Sequence, residues 1–149
     1  MNKRALLDAI VAKLAAEVDL LTKAALQTHA EATSEENKAE NKYDTRGLEA
    51  SYLADGQSRA AEDAAQALAQ FRALVIRDAA AAEPIALGAL VTVADAAGRS
   101  THYFVGPRAG GTEIEHESAN VMVITPHSPL GRQLVGRRAG DTLQLERGG

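Results

Sequence analysis

The chain of 149 residues reads as an α+β protein: an N-terminal antiparallel α-helical coiled-coil hairpin followed by a small antiparallel sheet with one short helix. Three observations predict it. Apolar residues recur at an alternating spacing of four and three in the first half, apolar and polar residues alternate with period two in the second, and composition changes at Glu83-Pro84. All four prolines lie at 84 or beyond, and so do ten of the twelve glycines. The change divides a hairpin over 1–83 from a sheet domain over 84–149.

In the first helix the seam is Leu7, Val11, Leu14, Val18, Leu21, Ala25, Thr28 and Ala32, a heptad stripe. Counting back from Val75 by the same rule gives Phe71, Leu68, Ala64, Ala61, Gln57, Ala54 and Ala50. Small residues dominate this second seam and let two helices come close. Each helix alone is marginal in water, but an antiparallel partner that buries the seam stabilises both. If Leu7 faces Val75, the turn centres near residue 41 and the stalk is roughly 45–55 Å long. The tip is then 36–46, where Glu36, Glu40 and Asp44 alternate with Lys38, Lys42 and Arg46. A charge run of this kind is ordinarily a solvated helix face.

After Pro84 the period changes. Ala89–Asp95 reads as a strand, Ala96-Ala97-Gly98 as a turn and Arg99–Val105 as the strand returning beside it, a hairpin by its pattern. Gly106–Gly111 is loop, and Val121–Ile124 is a buried strand. Ser128 then stands at an N-cap, with Pro129 at the first helical position, where a missing N–H costs nothing. Leu130, Leu134 and Val135 give the helix a narrow apolar face, and Gly136 offers a residue for positive φ just past its end. Ala139-Gly140-Asp141 is a turn, and Thr142–Glu146 alternates as a strand does.

Composition limits the functions open to the chain. Cysteine is absent, which excludes disulfides, thiolate zinc sites and cysteine catalysis and fits a reducing compartment. The early acidic residue Asp8 argues against a signal peptide, and no apolar run approaches the roughly 20 residues of a bilayer span, so a cytoplasmic location is expected. Residues 1–84 hold 14 acidic and 10 basic side chains, and 85–149 hold six of each. Neither half has the basic footprint of a nucleic-acid binder, so independent DNA binding is not expected. His29, His102, His116 and His127 fall on separate elements without a spaced partner, so no metal site of the chain's own is expected. No Gly-x-Ser-x-Gly elbow surrounds Ser128, and capping explains it without catalysis.

A helical hairpin followed by a sheet bearing Ser128-Pro129-Leu130-Gly131-Arg132, then Leu134-Val135-Gly136, then Gly140-Asp141, resembles the GreA/GreB family of bacterial transcription elongation factors. The resemblance implies an FKBP-like C-terminal domain that docks on RNA polymerase at the rim of its secondary channel, through Ser128, Pro129, Leu130 and Arg132. It implies a hairpin tip that enters the channel and presents Glu36, Glu40, Asn41 and Asp44 to the polymerase Mg²⁺ site, where backtracked RNA is cleaved. The partner is RNA polymerase in its elongation complex; the chain is no enzyme itself, needs no cofactor of its own and shares the polymerase's Mg²⁺. The family's tip has an Asp three residues before a Glu-Asn pair. Here Thr33 stands three before Glu36-Asn37, and Asn37 three before Glu40-Asn41. A non-cleaving binder of the same channel, competing with true cleavage factors, therefore stands beside the cleavage factor. A coiled-coil adaptor and a prolyl isomerase are remoter alternatives, the latter because only Tyr103 and Phe104 are aromatic after residue 84.

Overall fold

The computed structural model describes residues 2–38, 46–76 and 83–143, with side chains from 2–30, 55–76 and 83–143. The chain is α+β: helices α1 (Lys3–Lys38) and α2 (Arg46–Ala73), strands β1 (Leu90–Ala94), β2 (Ser100–Val105), β3 (Glu113–His116) and β4 (Ala119–Ile124), and helix α3 (Pro129–Leu134). It forms two compact units, Ala12–Ala69 and Met1–Val11 with Gln70–Gly149.

The helices bury the stripe that their period marks. On α1, Leu7, Leu14 and Ala25 are buried, and Val11, Val18, Leu21 and Thr28 are half-buried. On α2, Leu68 and Phe71 are buried, and Gln57, Ala61 and Ala64 half-buried. Leu20 and Leu26, off the stripe, are 69% and 65% exposed. Asn2 caps α1: its Oδ1 accepts the Ala5 N–H at 3.0 Å. One seam position is corrected. Val75 is 86% exposed, because α2 ends at Ala73 and the chain leaves helical geometry two residues before it. The alanine run 78–82, read as a helix end, lies outside the described residues.

The sheet has strand order β1-β2-β4-β3. β1 and β2 pair antiparallel through the predicted turn, with Leu90 opposite Phe104 and Ala94 opposite Ser100. The predicted all-antiparallel sheet is corrected to a mixed one, since β2 and β4 run parallel, Phe104 beside Val123 and Val105 beside Ile124. β3 fills the edge antiparallel to β4 and carries no sequence expectation. Glu113-Ile114-Glu115-His116 holds a single buried apolar residue, Ile114. Its turn places Glu117 (φ 50°) and Ser118 (φ 64°) in the left-handed region without the Asn-Gly that announces such turns.

Both faces of the sheet are covered within this unit. On one, Phe104, Val121 and Val123 are buried, and Phe104 stacks on Phe71 of α2 with ring centroids 6.4 Å apart. Leu6, Leu7 and Ile10 of α1 are buried in the same unit. The Asn2 N–H meets Glu117 Oε1 of the β3–β4 turn at 3.4 Å. On the other face Val105, Ile124 and Leu134 form a cluster, with Val91, Val93, Leu130 and Leu143 packed against it. Thr142 and Leu143 belong to no strand, and the remainder of the predicted last strand lies outside the described residues.

Candidate functional site

The candidate site is the turn and helix from Thr125 to Arg138. It forms because a short segment must reverse direction off β4 and lay an apolar stripe back on the sheet. The Thr125 carbonyl is its centre. It accepts the Ser128 backbone N–H at 3.1 Å and the Ser128 hydroxyl at 2.8 Å, which closes the Thr125-Pro126-His127-Ser128 turn. The same hydroxyl oxygen accepts the Gly131 N–H at 3.0 Å, so Ser128 is the N-cap, with Pro129 following. Leu134 is buried in the sheet cluster and Leu130 packs on it half-buried. Two residues of the predicted narrow face are thus in place; the third, Val135, is corrected, since α3 ends at Leu134 and Val135 is its extended C-cap, 38% exposed.

Gly131 answers to close approach. A Cβ there would stand 1.8 Å from the Thr125 carbonyl oxygen and 2.8 Å from Ser128 Oγ, distances no side chain tolerates. The helix therefore sits one side chain closer to its preceding turn than any other residue permits. At the far end Gly136 has φ +89°, as its place after the helix requires. Its N–H donates to the Ile85 carbonyl at 2.8 Å, and the Ile85 N–H donates to the Arg137 carbonyl at 2.6 Å, tying the helix exit to the segment before β1.

Of the four residues expected to dock, Pro129 and Arg132 are exposed, Leu130 is half-buried and Ser128 is half-buried with its proton committed. The Arg132 N–H donates to the Ser128 carbonyl at 2.9 Å, while its guanidinium has no hydrogen bond or ion pair among the described residues. Arg137 Nε donates to the Gln133 carbonyl at 3.3 Å. Thr125 and Ile85 were not singled out by sequence reasoning, because both act through backbone atoms. Pro126, a favoured second residue of such a turn, was the available signal for Thr125.

Glu36 lies in the last turns of α1, where its side chain is not described, and Glu40, Asn41 and Asp44 lie outside the described residues. Among the described residues no three His, Asp or Glu side chains converge on a metal-ion site. His102 Nδ1 pairs with Thr92 Oγ1 at 2.9 Å, and His116 Nε2 stands 3.7 Å from Glu117 Oε1. His29 and His127 are exposed. No described helix is long and apolar enough to cross a membrane.

No family model matches the chain, and no curated protein does. Among solved structures it is similar to the crystal structure of GreA factor homolog 1 (Gfh1) of Thermus thermophilus. The two are 20% identical, the match covers 91% of this chain and 84% of that one, and the TM-score is 0.34, too low to carry an argument about function.

Proposed function

We propose that this chain is a Gre-type transcription elongation factor. It binds RNA polymerase through the sheet unit and directs the far ends of α1 and α2 toward the polymerase active site, promoting cleavage of backtracked RNA. The observation that carries the reading is the motif Ser128-Pro129-Leu130-Gly131-Arg132, together with two helices of 36 and 28 residues in the same chain. The polymerase performs the hydrolysis. The factor contributes carboxylates near residues 36–44, because phosphodiester hydrolysis at a two-metal centre needs anionic oxygens to place an ion and orient water, and Mg²⁺ takes one or two carboxylates while keeping several waters.

A second reading is favoured by one observation: neither Thr33 nor Asn37 supplies the leading carboxylate. On this reading the chain occupies the channel without cleaving and competes with factors that do. The deciding experiment incubates stalled elongation complexes and Mg²⁺ with the chain and follows shortening of the labelled transcript. Shortening that Glu36→Ala and Glu40→Ala abolish supports the cleavage factor. Binding without shortening, and suppression of a true cleavage factor added afterwards, supports the competitor. No association with polymerase refutes both.

A further inference from the structure

We infer that within Ser128–Arg132 the Arg132 guanidinium is the contact to an acidic protein surface, and that Ser128 and Gly131 are positioning residues that never touch the partner. The inference deepens the polymerase-binding reading and rests on it. Ser128 and Gly131 have spent their chemistry internally. The serine hydroxyl gives its one proton to the Thr125 carbonyl and takes the Gly131 N–H, and Gly131 is buried with the same carbonyl against its Cα. What they fix is the start of a six-residue helix, and Arg132 is held on it by its own N–H to the Ser128 carbonyl.

The guanidinium is the part left over. It is exposed, and no carboxylate of the described chain engages it. From Ala119 to Gly140 the chain holds three arginines and one histidine but no Asp or Glu. An arginine on a fixed helix start, with no partner among the described residues, fits a carboxylate, which it can grip bidentately. Nucleic acid fits less well, because gripping a phosphate backbone takes a basic footprint spread over a face, and residues 83–143 intersperse six acidic side chains with five arginines.

Affinity of the full chain for core RNA polymerase, measured against ionic strength, tests this with Arg132→Ala, Ser128→Ala and the double variant. Arg132→Ala is expected to weaken binding about tenfold at low salt, with a shallower salt dependence and no loss of thermal stability. Ser128→Ala is expected to lower the melting temperature and weaken binding a few-fold, and the double variant to bind no worse than Arg132→Ala alone, because Ser128 acts through Arg132. Additive losses would mean that Ser128 contributes to binding by a route other than Arg132 and would overturn the inference, as would unchanged binding by Arg132→Ala; either leaves the polymerase reading standing. Tight binding of free RNA or DNA that Arg132→Ala abolishes would overturn it in favour of a nucleic-acid contact. If the unsubstituted chain does not bind polymerase at all, both fall.

Discussion

At the scale of single residues the chain concentrates its constraints on one oxygen atom. The Thr125 carbonyl takes two hydrogen bonds from Ser128 and lies against the Cα of Gly131. These contacts set different penalties for neighbouring substitutions. Removing the hydroxyl in Ser128→Ala leaves the Gly131 N–H without its cap and should cost about 1 kcal/mol. Gly131→Ala must move backbone, since a Cβ would stand 1.8 Å from the carbonyl oxygen, and the movement also breaks the cap. The expected cost is about 3 kcal/mol. Urea midpoints of the two variants check this order. If Gly131→Ala costs no more than Ser128→Ala, the close approach is not a real constraint.

Secondary-structure elements differ in how openly their residues announce them. Helices α1 and α2 were legible because a heptad stripe needs only local spacing, and burial follows it from Leu7 to Thr28 and from Gln57 to Phe71. The capped helix was legible because Ser128, Pro129 and Gly136 are each chosen by local backbone geometry. The parallel pairing of β2 with β4 was not, because it joins distant residues and leaves no mark on either strand. β3 was missed for a related reason: an edge strand has one face to bury, and Glu113 and Glu115 discourage further pairing at that edge. Of the candidate site, the side chains could be named in advance, but the atoms that seat them, the carbonyls of Thr125 and Ile85, belong to residues whose identity scarcely matters.

The stripe on α1 also makes a prediction about stability. Leu14 is buried on it and Leu20, about one and two-thirds turns on, is 69% exposed. Leucine and alanine are both good helix formers, so Leu→Ala isolates the packing. Leu14→Ala should lower stability by about 2–4 kcal/mol. Leu20→Ala should change it by no more than about 0.5 kcal/mol. Thermal melts followed by far-ultraviolet circular dichroism compare the two directly, and equal losses would refute the assignment of the seam.

For the whole molecule the decisive property is its division into Ala12–Ala69 and the unit that carries the sheet. If one unit binds polymerase and the other delivers chemistry, binding and cleavage are separable, and a change near the tip should alter cleavage while leaving affinity intact. Thr33 is the position at which to test this, standing three residues before Glu36-Asn37, where the resemblance expects an aspartate. Adding a carboxylate there supplies the missing anionic oxygen without touching Ser128–Arg132. A stabilisation of the cleavage transition state by only about 1.4 kcal/mol raises the rate tenfold. Thr33→Asp is therefore expected to shorten backtracked transcripts at least about tenfold faster than the unsubstituted chain, with polymerase affinity unchanged. Asn37→Asp makes the same test in the register of Glu40-Asn41. If both variants bind as before and neither accelerates cleavage, the absent carboxylate is not what limits the chain, and the competing, non-cleaving role becomes the better account of the molecule.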